Sequence, residues 1–337
     1  MDPVAGGLTR AAVWTGDGVD VLDVPVPRLG DGELLVRVRL ATVCGSDLHT
    51  VAGRRPGPRP SVLGHEAVGD VVAAGPGAGT VVGTRVVWTV TASCGACDRC
   101  VSGRTAKCRA VRKVGHEPFD GDWALSGGFA HHIVLPAGVG VVRVPDSVPD
   151  VVAAPAACAT ATAVAAVEAA GDVAGRRVLV CGAGLLGVTA IALCAEAGAD
   201  VRVADPDAER IAVAERFGAL GDEGGPVDVA LDFSGSVAAV GECLRRLDVG
   251  GRLVLAGSVT PGPSVPLDPE AVVRGWLTVT GVHNYEPTHL RRAVAFLTRT
   301  AGTYPWDELV AEPVRLDDLA DALRRPAAPA LRASVAP

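Results

Sequence analysis

Lysine is almost missing from this chain of 337 residues: arginine supplies nearly all of the basic charge, and only Lys107 and Lys113 are lysines. A lone arginine is therefore weak ground for any site. No apolar run reaches the roughly eighteen residues that a membrane-spanning helix needs, so no span is expected. The start, Met1-Asp2-Pro3, lacks the basic-then-apolar pattern of an export signal, and a cytoplasmic location is expected. Excess positive charge is lacking too. The formal charge of −7 argues against nucleic acid as a partner. What is present is globular in type, 49% hydrophobic and 20% charged with glycine and proline spread along the chain. A chain this long suits two domains better than one core.

The nine cysteines are an odd number, and four of them fall within residues 94–108. In a reducing compartment that crowding points to metal rather than disulfides. Cys94-x2-Cys97-x2-Cys100-x7-Cys108 puts four soft donors in a short loop expected to be free of helix or strand, which suits tetrahedral zinc. Four thiolates leave no open coordination position, so this site reads as structural. The competing reading, four free surface thiols, carries an oxidation liability. A second constellation is dispersed: the run Cys44-Gly45-Ser46-Asp47-Leu48-His49, then Gly64-His65-Glu66, then Cys158. Cys44, His65 and Cys158 would make a three-ligand zinc with the fourth position open to substrate. Singly, each has a plainer reading, since a lone cysteine is usually a small buried hydrophobe and His65 suits a core. Cys181, Cys194 and Cys243 fall in expected strand or helix and read as core.

The first 150 or so residues read as an irregular β domain, with Val-rich runs at 34–40, 67–74 and 84–90 between glycine and proline clusters. From 151 to 170 the chain is Ala-rich and helical in composition. Strands at 177–181, 201–204, 227–232, 252–256 and 277–280 then alternate with helices at 185–197, 207–217 and 237–247, the signature of a doubly wound parallel sheet. Between Gly218 and Val227 there is no room for a full third strand and a crossover helix. A vestigial edge strand at Ala219-Leu220 and a bare loop are expected there. The tail after Gly281 reads as less regular and as returning to the first domain. The expected division is 1–157, completed by 282–337, and 158–281.

The expected strand at 177–181 runs into Gly182-Ala183-Gly184-Leu185-Leu186-Gly187 and then a helix. Gly182 permits the tight turn, Gly184 lets backbone approach a pyrophosphate, and Gly187 lets helix pack on strand. Unpaired N–H groups at the helix start favour phosphate. Asp205 ends the next strand, where a carboxylate accepts both ribose hydroxyls and opposes a 2′-phosphate, so NAD is expected over NADP. Arg210 is either a contact to the ribose edge or a solvated helix residue.

The segment Gly64-His65-Glu66-Ala67-Val68-Gly69, the 44–49 run, the four-cysteine loop, Pro155-Ala156-Ala157-Cys158 and Asp232-Phe233-Ser234-Gly235 together resemble the zinc-containing medium-chain dehydrogenase/reductase family. The resemblance implies a GroES-like catalytic domain with a Rossmann domain and an active site in the cleft. It implies Cys44, His65 and Cys158 as catalytic zinc ligands, with Glu66 as an alternate ligand or a neighbour of the ligands. It gives Asp47 the orientation of a ligand, and Ser46 and His49 a proton relay. Two zinc ions and NAD are the cofactors it implies, with alcohol oxidation by hydride transfer the activity and a homodimer or homotetramer the assembly. A polyol, amino-alcohol or sugar dehydrogenase stays open as a reading, as does a catalytically silent zinc- and NAD-binding protein. Arg54, Arg55 and Arg59 form a local positive cluster after His49, which points to a small polar or anionic alcohol. The run 281–287, with His283 and Asn284, resembles a clade associated with phosphonate metabolism.

Overall fold

The computed structural model describes residues 6–324, 326 and 328–337, so the Met1-Asp2-Pro3 start lies outside the described residues. The chain forms two compact units. One holds the residues up to Cys158 with Glu286–Ala301 and Trp306–Pro337; the other holds Ala159–Tyr285 and Gly302–Pro305. Cys158 thus belongs to the first unit, and residues 282–285 belong to the second.

The first unit is β-rich because its valines recur on alternate positions. Along Leu34–Thr42, Val36, Val38 and Leu40 are buried while Arg37 and Arg39 face solvent, the period-two pattern of a half-buried strand. This strand pairs antiparallel with Glu66–Ala74, which pairs with Arg85–Ala92. All three expected strands are present, with ends shifted by a residue or two. Val36, Trp88, Phe129 and Ile133, each fully buried, anchor the core. The tail corrects the expectation of irregularity: Pro287–Thr300 is a helix of 14 residues. Leu290, Ala293, Val294 and Leu297 line its buried face at helical spacing, and Pro287 opens it where a missing N–H costs nothing. The final strand, Ser334–Ala336, pairs antiparallel with Leu34–Thr42 and aligns Ser334 with Thr42.

The second unit is a parallel sheet of β1 (Arg177–Cys181), β2 (Asp200–Ala204), β3 (Leu220–Gly221), β4 (Val227–Asp232), β5 (Leu247–Leu255) and β6 (Thr278–Gly281). Their spatial order is 3-2-1-4-5-6, all parallel. The vestigial edge strand is present one residue later than expected, and no helix crosses from it to β4. At the edge its brevity costs the sheet little, because β1 and β4 carry the buried centre. The loop beyond it is not bare, however. Arg246 is almost fully buried; it donates to Asp222 at 2.5 and 2.9 Å and to the Gly225 carbonyl at 2.8 Å, pinning the loop. A helix at Pro269–Gly275, not expected from the sequence, precedes β6. The Ala-rich stretch is also not one helix. A helical turn at Asp150–Ala153 tightens to a 3-10 turn at Ala154–Ala157, and the helix Ala159–Ala170 starts after Cys158. Pro155 lacks the N–H that a continuous helix would use. Among the described residues no single helix is long and apolar enough to cross a membrane.

Candidate active site and metal centres

Chain-distant residues converge in the first unit. Cys44 ends the extended chain after Leu34–Thr42 and starts the short helix Gly45–Val51; its N–H donates to Asp47 Oδ2 at 2.9 Å. Gly64 turns with φ of +90°, and a Cβ there would lie 2.9 Å from the Phe129 ring, so only glycine delivers His65 to this position. Cys158 sits where the helical stretch breaks. One donor atom each from Cys44, His65, Glu66 and Cys158 lies within 4.8 Å of every other. The first three of these residues are buried.

The surroundings favour anionic sulfur. The Cys158 thiol, donating to Cys44, holds the Cys44 pKa well below its ordinary value, and Arg332 adds to this. Cys158 is pushed well up in return by the Cys44 sulfur and by burial. Burial, then the Cys44 charge, pushes Glu66 up to about 7. Glu66 Oε2 accepts from Thr42 Oγ1 at 2.7 Å and from Arg332 Nε at 3.2 Å, while the buried Oε1 has no partner. Arg332 Nη2 also lies 3.8 Å from Cys44 Sγ. A buried carboxylate oxygen with no partner beside two thiols and an imidazole is the donor chemistry of a divalent metal centre.

Asp47, fully buried, places Oδ1 3.4 Å from His65 Nδ1, and Ser46 Oγ lies 3.2 Å from His65 Nε2. His49 stands about one turn further along the helix, part-buried. Its carbonyl accepts from the N–H groups of Arg54 and Arg55 at 2.9 and 3.1 Å, which closes the following turn. The three arginines do not act as one cluster. Arg54 is exposed, Arg59 packs across Gly16, and Arg55 Nη1 donates to His116 Nε2 at 3.2 Å. His116, whose ring centroid is 5.2 Å from that of His65, and Arg332 were not anticipated. Arg332 had no local signal, being placed by the final strand.

The four-cysteine loop contains helical turns, contrary to the expectation of an unconstrained loop: Asp98–Val101 carries Cys100, and Thr105–Lys107 leads into Cys108. The sulfurs lie 3.4 Å (94–108), 3.5 Å (97–100), 3.9 Å (97–108) and 4.0 Å (94–100) apart. A tetrahedron with metal–sulfur bonds of about 2.3 Å has edges of about 3.8 Å, so the cage fits zinc. Backbone N–H groups of Arg109 and Cys100 lower the Cys97 pKa to about 6. Burial and neighbouring thiols push Cys100 up to about 12.

In the second unit Gly182 has φ of +97°. A Cβ on Gly187 would lie 1.9 Å from the Gly182 carbonyl oxygen, which no side chain survives. A Cβ on Gly184 would meet nothing within 4 Å, so the space before the helix Leu185–Glu196 is open to a ligand. Leu185 and Leu186 form the first turn, whose N–H groups face that space as at any helix start. Asp205 accepts from the Ala183 N–H at 2.7 Å and the Asp207 N–H at 3.0 Å, which ties the end of β2 to the glycine turn. Arg210 pairs with Asp207 at 3.4 Å, one turn along its own helix. Cys181, Cys194 and Cys243 are buried, with the Cys181 and Cys243 sulfurs 3.4 Å apart. Asn284, at φ of 59°, follows the end of β6 together with His283.

A β-rich unit holding two clusters of soft donors and a parallel sheet with a glycine turn define a metal-dependent, dinucleotide-using oxidoreductase. The comparisons agree. Residues 30–146 match the alcohol dehydrogenase GroES-like domain. The L-threonine 3-dehydrogenase of Aeromonas salmonicida is 32% identical over 293 residues, covering 80% of this chain and 82% of that protein. Among solved structures, an alcohol dehydrogenase of Thermotoga maritima superposes with a TM-score of 0.89 at 27% identity, covering 98% of this chain and 100% of that one. A Sinorhizobium meliloti structure described as a zinc-binding dehydrogenase bound to NADP gives 0.87 at 28% identity, with 98% and 100% covered. The chain belongs to the zinc-dependent medium-chain dehydrogenase family, whose members act on CH–OH groups of small molecules.

Proposed function

We propose that Cys44, His65 and Cys158 hold a catalytic zinc, that Cys94, Cys97, Cys100 and Cys108 hold a structural one, and that the chain oxidises a small polar alcohol with NAD. The observation that carries this is the convergence of Cys44, His65, Glu66 and Cys158 within 4.8 Å. A zinc held by Cys44, His65 and Cys158 would supply Lewis acidity to a substrate hydroxyl, and NAD bound at the glycine turn would supply a hydride acceptor. The protein's part is positional. Asp47 holds His65 by the ring nitrogen that faces it, and Arg332 with Thr42 holds Glu66 beside the ligands as an alternate donor. Ser46, against His65 Nε2, accepts the hydroxyl proton as it gives its own onward, and His49 passes a proton outward. The name of the matched relatives favours an amino-alcohol or polyol over a simple alcohol. A cytoplasmic homodimer or homotetramer is the assembly and setting proposed.

The test is cofactor reduction across a panel of diols, amino alcohols and hydroxy acids, with zinc counted in parallel. Zinc and NAD bound without turnover of any alcohol would favour the silent reading instead. His49→Ala should lower turnover about a hundredfold, with partial rescue by added imidazole. An unchanged pH–rate profile would mean that the proton leaves by another route.

NAD is the cofactor of this reading because Asp205, tied to the glycine turn at the end of β2, would accept from ribose hydroxyls and oppose a 2′-phosphate. Native enzyme should prefer NAD over NADP, and Asp205→Asn should narrow that preference by roughly tenfold, equivalent to about 1.4 kcal/mol. Asparagine keeps only one of the two oxygens that accept from the Ala183 and Asp207 N–H groups, so melting temperature is read beside the preference to separate loss of charge from a loosened turn. Equal efficiency of the native enzyme with both cofactors would contradict the assignment.

A further inference from the structure

Most arginines in this acidic protein are matched to an aspartate or glutamate. The turn beside His65 is an exception. Lys113, one of the chain's two lysines, ends the short strand Arg112–Lys113, and its carbonyl accepts from the His116 N–H at 3.1 Å. Gly115, inside this turn, has φ of +70°, and a Cβ on it would lie 2.9 Å from the Gly64 carbonyl oxygen. Two glycines in backbone contact therefore bring the His116 ring against His65. From the other side, Arg55 reaches His116 Nε2 at 3.2 Å. Because the guanidinium can only donate, that nitrogen accepts and the ring carries its proton on Nδ1.

Among the described residues no carboxylate is paired with the Arg55 guanidinium or the Lys113 ammonium. Glu117, in the next position, accepts from the Lys113 backbone N–H at 2.8 Å and from Arg112 Nε at 3.2 Å, so its oxygens are engaged elsewhere. Both cationic side chains are half-buried. Burial, then the charges of Arg55 and Lys107, lower the Lys113 pKa. Holding like charges together, partly out of water and without an acid, costs stability that an arriving anion returns.

We infer that Arg55, Lys113 and His116 form a subsite for an oxyanion, carboxylate or phosphonate, carried by the alcohol substrate a short distance from the oxidised carbon. The inference rests on the proposal of a catalytic zinc at His65 and names its substrate class. His116, which Arg55 touches, has its ring 5.2 Å from that of His65, so the class proposed is a short hydroxy acid or hydroxyalkylphosphonate. A guanidinium fork and an ammonium bind such an oxyanion through charge-assisted hydrogen bonds.

The test has two readouts on the zinc-loaded full chain. In the first, calorimetry compares 3-hydroxybutanoate, 2-hydroxyethylphosphonate and the neutral 1,3-butanediol. Native protein should bind at least one anion ten- to a hundredfold more tightly than the diol. Arg55→Gln and Lys113→Gln should each remove about a tenfold part of that difference, and Arg55→Lys should restore some of it. Which anion binds tighter identifies carboxylate or phosphonate as the source. In the second, kcat/KM is measured for the same three compounds. Zinc content and melting temperature confirm that each variant is folded. Equal binding of anions and diol, or variants indistinguishable from native, overturns the subsite. If anions bind as expected and no alcohol is oxidised, the dehydrogenase proposal fails and the subsite stands. If the diol is oxidised as well as the anions, the subsite fails and the dehydrogenase stands.

Discussion

Cys44→Ser should abolish turnover, by roughly a thousandfold or more, and cut the zinc content from two to one per chain while leaving the fold in place. A serine hydroxyl stays protonated at neutral pH and makes a poor soft donor, so one of three ligands at an open site is lost. The loss of Lewis acid stabilisation corresponds to about 4 kcal/mol or more on the reaction barrier. The fold should tolerate the change because oxygen replaces sulfur with little change of volume in a buried position. The Cys44 N–H keeps its bond to Asp47 Oδ2 at 2.9 Å, so the helix Gly45–Val51 keeps its start. Arg332, which lies 3.8 Å from the lost sulfur, still has Glu66 as its anionic partner. Metal analysis and steady-state kinetics on the purified variant decide the matter. A fully active variant, or one that still holds both metals, would show that Cys44 is not a ligand.

The site and the fold were legible in the sequence to different depths, for identifiable reasons. Residues in tightly constrained patterns announce themselves: the cysteine spacings, the Gly-His-Glu run and the glycine turn each have few alternative uses. The parallel sheet was legible because its strands are short apolar runs separated by helices with glycine stops. Arg332 was not legible. It meets Glu66 only because Ser334–Ala336 pairs with Leu34–Thr42, a contact across nearly the whole chain that leaves no local pattern. His116 was hidden for a similar reason, since its approach to His65 depends on Gly64 and Gly115 touching in space. The helix Pro287–Thr300 is a different failure. Its apolar residues do recur at helical spacing, but the arginines between them and the glycine and proline on either side made the stretch read as less regular. The arginines at 54, 55 and 59 show the opposite error. Nearness in sequence suggested one charge cluster, and the turn sends Arg55 to His116 and Arg59 to Gly16 while leaving Arg54 exposed.

The second large effect should come from Cys97→Ser, and it should fall on stability rather than on chemistry. Besides the sulfurs, the loop from Cys94 to Cys108 is held by an exposed Arg109–Asp98 pair at 2.6 and 2.8 Å and by Arg99 donating to the Lys107 carbonyl, and it buries little apolar surface. Its buried side chains are Cys100, Ala106 and Cys108, while Val101 is 78% exposed. Glu286 accepts from the Ala106 N–H at 3.0 Å and from the Thr105 N–H at 2.9 Å, which tethers one side of the loop only. On the proposed assignment, a metal bound by the four sulfurs adds local folding energy that exposed ion pairs supply only weakly. Structural zinc in isolated peptides supplies about 10–16 kcal/mol at neutral pH, of which a loop already anchored at both ends needs a fraction. Cys97 is the sensitive position because two backbone N–H groups hold its pKa near 6, making it the readiest of the exposed thiols to bind as thiolate. A serine there leaves three sulfurs, two of them buried, crowded at under 4.1 Å without the cation that made the arrangement favourable. The variant should lose one zinc, melt several degrees lower and open to trypsin at Arg99, Arg104 or Arg109, which are exposed but held in turns. The remaining zinc should stay with Cys44, His65 and Cys158, so turnover should persist below the new melting temperature. A variant that keeps its melting temperature and its trypsin resistance would show that the loop is held by something other than metal.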